Sequence, residues 1–172
     1  MENIFSRLTW KIWLAILAPV LIVSIVIFLF LYTRPNSYKD TAFSLSYPKN
    51  VRVEQSSIAG GGKSIIFHLP QGPDYGMTLE IVPSTATNNA SIIDNIFRDS
   101  GYKESDVVFG GVAGKEFLGA TRVDETAFQE KIAIAENHGT IYKLHLIYKL
   151  PERDKKADDE FSQILSTLHF NE

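Results

Sequence analysis

The chain has 172 residues, 17 lysines and arginines against 20 aspartates and glutamates, a net charge of −3, and no cysteine. Disulfides, thiolate metal sites and cysteine nucleophiles are thereby excluded. A weakly acidic chain without a basic stripe also lacks the clustered cations that nucleic-acid phosphates require, so no nucleic-acid partner is expected.

The most informative segment comes first. Between Lys11 and Arg34 run 22 residues without a charge. At about 1.5 Å per residue, such a helix reaches the roughly 30 Å of a bilayer core. A buried core helix would carry a polar face, and this stretch offers only Ser24 and Thr33. A signal peptide has a shorter apolar core followed by small residues. Here the run ends in Phe28-Leu29-Phe30-Leu31-Tyr32. Trp10 and Trp13 at one end and Tyr32 at the other suit the headgroup region, and a membrane helix tolerates Pro19. A prepilin would need a Gly-Phe-type processing site and an early glutamate in the helix, and neither is present.

The expected layout is therefore a cytoplasmic tail over 1–11, an uncleaved transmembrane helix over 12–33 whose partner is the lipid bilayer, a short linker over 34–40, and one globular domain over 41–172. Arg7 and Lys11 against Glu2 favour a cytoplasmic N-terminus and an extracytoplasmic domain. The short exit Pro35-Asn36-Ser37 predicts a domain close to the lipid. Beyond Arg34 remain 138 residues with 14 basic and 19 acidic side chains, a net of −5 and a usual size for one domain.

Phe43 to Tyr47 alternates in period two and predicts a strand stopped by Pro48. Val51 to Ile58 and Ser64 to Leu69 flank Gly60-Gly61-Gly62 as a hairpin, and Met77 to Val82 is a further strand. The period then changes: Ile92, Ile93, Ile96 and Phe97 share a helical face, Asn88 to Ser91 supply a cap, and Gly101 is a stop. Three strands follow, Val107 to Leu118 with a break at Gly110-Gly111, Ala127 to Glu136, and Thr140 to Leu150. Asp124-Glu125 and Asn137-His138-Gly139 are the turns. A last helix starts near Lys155, with a stripe of Phe161, Ile164, Leu165 and Leu168. Sequential strands with two amphipathic helices predict an α+β domain, a largely antiparallel sheet covered by helices.

Chemical motifs are sparse. Gly62-Lys63-Ser64 resembles the end of a phosphate loop, but Ser57 stands where that loop needs glycine and a strand follows instead of a helix. Gly110-Gly111-Val-Ala-Gly114 lacks dinucleotide spacing and suggests close backbone packing. The histidines at 68, 138, 145 and 169 form no ligand set, so neither a metal nor any other cofactor is expected. Residues 154–160 lack the glycine of a calcium loop. Asn89-Ala90-Ser91 matches a glycosylation acceptor. Glu80, Glu116 and Glu130 sit on predicted strands beside lysines, as a solvated face does.

Phe43-Ser-Leu-Ser-Tyr-Pro48 followed by Val51-Arg-Val53 resembles the opening of PsbP-like and DcrB-like domains, with Val51 where that pattern carries tryptophan. Gly111-Val-Ala-Gly-Lys-Glu-Phe117 is similar to their mid-chain glycine strand, and Phe161 to Phe170 to their closing helix and short strand. The resemblance covers most of residues 41–170. It implies an antiparallel sheet sandwiched between helices, in an accessory or binding module without catalysis. The expected function is thus a single-pass, membrane-anchored, extracytoplasmic accessory module, with no catalytic residues and an envelope protein as partner. The alternatives are a membrane-tethered hydrolase assembled from Glu80, Glu130 and His145, or a domain binding a small ligand or lipid between sheet and helix.

Overall fold

The computed structural model describes residues 15, 17–29, 31, 34–70, 72, 75–150 and 155–171. It divides into two compact units, Met1–Pro35 and Asn36–Glu172. In the first unit residues 17–29 are helical. Apolar side chains on every side of this helix are exposed, among them Leu17, Leu21, Ile25 and Phe28. The hydroxyl of Ser24 donates to the Val20 carbonyl at 2.8 Å, so the one polar side chain in this stretch is satisfied within the helix. Among the described residues no helix is long and apolar enough to cross a membrane. Residues 12–14, 16, 30 and 32–33 of the expected span, and the whole expected tail, lie outside the described residues.

Among the described residues the second unit contains ten strands and two helices. In chain order these are β1 (Asn36–Lys39), β2 (Phe43–Tyr47), β3 (Arg52–Ile58), β4 (Gly62–His68), β5 (Tyr75–Pro83) and α1 (Ala90–Asp99). There follow β6 (Lys103–Phe109), β7 (Val112–Val123), β8 (Thr126–Asn137), β9 (Thr140–Lys149), α2 (Lys155–Thr167) and β10 (His169–Phe170). Seven strands form one sheet in the order β3-β4-β5-β9-β8-β7-β6, and β1-β2-β10 form a small second sheet. All pairings in the large sheet are antiparallel. The architecture is the expected α+β fold.

Tight turns account for most of the connectivity. Ala59-Gly60-Gly61 closes β3–β4, with both glycines at positive φ. His138 and Gly139 both take positive φ, 48° and 69°, which matches the right-handed twist of the β8–β9 hairpin. The β5–β9 pairing is the exception. It runs from Tyr75↔Tyr148 to Pro83↔Thr140 and closes over α1 and three strands.

The two faces of the large sheet are covered differently. On the inner face, Ile65 and Phe67 of β4, Met77 and Leu79 of β5, and Leu144 and Leu146 of β9 are buried in one cluster. α2 covers them with Ala157, Phe161, Ile164 and Leu165, and β2 adds Phe43 and Leu45. Thr167 fastens α2 to β2, accepting from the Ser46 amide at 3.0 Å and donating to the Ser46 carbonyl at 2.9 Å. On the outer face α1 covers a smaller cluster, the buried Phe117, Ile132, Ile134 and Ile141, against which Ala90, Ile93 and Phe97 of the helix pack together with Val82 and Tyr102.

The stretch 34–40, expected to be a linker, contains a strand. β1 pairs with β2 from Asn36↔Tyr47 to Lys39↔Ser44. Its sequence, Asn-Ser-Tyr-Lys, is polar and has little strand signal. Tyr38 fixes it by stacking on Phe43 at 5.8 Å and donating to Gln55 at 2.6 Å.

Candidate functional site

α1 begins at Asn89, whose side-chain oxygen accepts from the Ile92 amide at 3.1 Å. A second acceptor comes from across the sheet, where Glu136 of β8 takes the Ala90 amide at 3.2 Å. A carboxylate there also complements the positive end of the helix. With Ile93 and Phe97 turned to the sheet, Ala90, Asp94 and Arg98 form a row along one flank at i, i+4 spacing. Between this flank and the β6–β7 hairpin lies an open groove of about 870 Å³. Its sides carry Asp94, Val108 and Glu136, and the small side chain of Ala113 leaves room above the sheet.

Glycine is required at 114, because a Cβ there would collide with the Ile134 carbonyl. The glycine strand thus does pack closely on its neighbour. Gly110 is constrained too, with φ of +64° and the Leu168 and Phe170 side chains against it.

The groove rim is charged. Lys115 lies 2.8 Å from Glu104 and 2.7 Å from Asp106, and Arg98 lies 2.8 Å from Glu104. These hydrogen bonds hold the Glu104 carboxyl below its ordinary range. Asp94 is different. Its Oδ1 is buried and accepts no hydrogen bond. Burial, then the nearby Glu104, pushes its carboxyl up, against weaker pulls from Lys115 and Arg98.

The strand carboxylates separate by face. Register places Glu80, Glu130 and His145 on the outer face, since Glu80 opposes Lys143, His145 opposes Ile132, and Ile132 and Glu130 lie two apart. Glu116 opposes Ala133 and so belongs to the inner face, where it lies 3.6 Å from Lys131. On the outer face Lys143 is 2.5 Å from Glu80. Glu130 accepts from the Tyr102 hydroxyl at 2.5 Å, and Tyr102, its proton held by burial and by that carboxylate, is pushed up to about 12. The Tyr102 ring lies against Gly119, where any Cβ would strike it.

His145 Nε2 is 3.9 Å from Glu130, too far for a hydrogen bond. Burial lowers the imidazole below its ordinary value; Glu130 and Glu80 oppose that, and Lys143 adds to it. None of Glu80, Glu130 and His145 lines the groove.

The remaining motifs have structural places. Lys63 is the second residue of β4 and pairs with Asp40 at 2.5 Å. Gly62 precedes it because a Cβ would meet Val82 and the Ile81 carbonyl. His68 lies 3.1 Å from Glu54, and His138 occupies its turn. Among the described residues no group of three or more His, Asp or Glu side chains is placed to hold a metal ion. Asn89, the glycosylation-type asparagine, is occupied as the helix cap. Sequence reasoning did not find the groove. Asp94, Asp106 and Glu136 belong to three elements with no common spacing, and the glycines of Gly110-Gly111-Val-Ala-Gly114 signalled only close backbone packing.

No family model matches the chain, and no curated protein does. Solved structures are similar. A protein from Bacteroides thetaiotaomicron superimposes with a TM-score of 0.59 at 12% identity, over 81% of this chain and 50% of that one. This chain therefore spans half the length of the Bacteroides protein. The cyanobacterial PsbP (CyanoP) of Synechocystis gives 0.55 at 14% identity, over 79% of this chain and 92% of its own. LpqN, a Mycobacterium tuberculosis protein involved in cell envelope biogenesis, gives 0.51 at 13%, over 83% and 95%. At such identities the likeness establishes the fold alone, and that fold is PsbP-like.

Proposed function

We propose that this chain is a single-pass, membrane-anchored accessory module whose PsbP-like domain binds another envelope component outside the cytoplasm and performs no chemistry of its own. The observation that carries the reading is the uncharged run from residue 12 to 33, whose described part is a helix with apolar side chains exposed on every side. A helix apolar all round belongs in a protein core or in lipid. The likeness to CyanoP and to LpqN, with its part in envelope biogenesis, supports the accessory role.

The geometry of the outer face favours this reading over the hydrolase alternative. Catalytic groups must converge on a site that admits a substrate. Glu130 accepts from Tyr102, Glu80 pairs with Lys143, and none of Glu80, Glu130 and His145 lines the groove.

The test is topological. The full chain, expressed in a bacterial host, should stay with membranes in alkaline carbonate, and protease added to intact spheroplasts should remove the domain. Release by carbonate, or a domain protected alongside an intact cytoplasmic control, would overturn the reading.

A further inference from the structure

The groove between α1 and the β6–β7 hairpin has a chemistry that selects its occupant. Its floor is apolar and small, and Val108, 68% exposed, stands at its wall. Three carboxylates line it, Asp94, Asp106 and Glu136, against one cation, Lys115. That cation is already engaged by Asp106 and Glu104. Glu136 spends one oxygen on the helix terminus. Asp94 is left with a buried oxygen that nothing bonds. A carboxylate so placed is costly until a donor reaches it, and a charged donor compensates best.

The shape adds a second constraint. A volume of about 870 Å³ accepts several side chains. One wall is β6, the last strand of the sheet, whose outer edge pairs with no strand among the described residues. Such an edge suits an extended chain laid beside it.

We propose that this groove receives an extended segment of the partner protein, which presents a lysine or arginine to Asp94 and Glu136 and apolar side chains to Val108 and the Ala113-Gly114 floor. This rests on the accessory-module reading and gives its partner a chemical description. The arrangement combines charge complementarity, which fixes register, with apolar contact, which supplies affinity.

The test uses the full chain in discs of zwitterionic phospholipid, with empty discs as background. The probe is a labelled nine-residue peptide alternating leucine and lysine, compared by fluorescence anisotropy with versions carrying glutamate or glutamine in place of lysine. The lysine peptide should bind, and both replacements should bind at least about tenfold more weakly, as loss of one charge-assisted hydrogen bond predicts. Asp94→Asn, nearly isosteric, should weaken the lysine peptide by about tenfold. Ala113→Leu fills an exposed floor position and should abolish binding, while circular dichroism reports an intact fold.

A lysine peptide that does not bind, or that binds parent, Asp94→Asn and Ala113→Leu alike, overturns the groove assignment. A photo-crosslinker then separates the two readings. If Glu54, on the opposite edge strand, captures a membrane partner while Val108 does not, the groove falls and the accessory module stands. If neither position captures one in membranes holding the inserted chain, both fall.

Discussion

The two faces of the seven-stranded sheet are built from the same strands but do different work. On the inner face nearly every second residue of β4, β5 and β9 is buried, under a 13-residue helix and a second small sheet. On the outer face one 10-residue helix covers four buried side chains, and the rest is Glu80–Lys143, Tyr102–Glu130 and the Lys115 network. Hydrophobic burial scales with apolar area, so stability is concentrated on the inner side. The outer side carries the groove and the edge strand, where a partner can be accommodated without disturbing the core. On the proposal made above, stability and recognition fall on opposite faces of one sheet.

Substitutions can break this contrast, and their expected effects decrease in order. Phe161→Ala empties a fully buried site on the inner face and should cost about 3–5 kcal/mol in urea unfolding. Phe97→Ala, on the half-covered outer face between Phe117 and Tyr102, should cost about 2 kcal/mol. If the two losses were equal, the two-face division would be wrong. Asn89→Ala removes the cap of α1 and should cost about 1 kcal/mol, while loosening the groove wall that α1 forms. A loss of probe peptide binding larger than the loss of stability would sharpen the link between the two.

The smallest effect concerns pH. Burial pushes the Asp40 carboxyl up, but Lys63, the Ala42 amide and Thr41 outweigh it and hold the group below the ordinary carboxylate range. A depressed carboxyl contributes stability that is present above its unfolded value and lost as pH falls through its folded value. Thermal melts should therefore show a deficit for Asp40→Asn at neutral pH that shrinks on acidification. A deficit independent of pH would remove the charge from the explanation.

Much of the fold was legible in the sequence. Phe43–Tyr47 was read to the residue, because period-two alternation depends only on which side of the chain meets the core. The stripe Phe161, Ile164, Leu165 and Leu168 is buried throughout, for the corresponding helical reason. The misses have a common cause. β1 and the first half of β6 are polar, and their strand conformation comes from the hydrogen-bonding edge that a neighbour offers. No local pattern reports such an edge. Of the candidate site, the sequence showed the close backbone packing at Gly114 but neither the groove nor the carboxylates that surround it.

The amino-acid sequence by itself determined the uncharged N-terminal run, the period of each strong element and the turns, since these follow from residue chemistry over a few positions. Only the tertiary structure decided that β5 lies against β9, that Glu116 departs to the face opposite Glu80 and Glu130, and that Asp94, Asp106 and Glu136 surround one groove. Strand order and register are set by the burial of the whole sheet, and a one-residue slip would send every side chain of a strand to the other face.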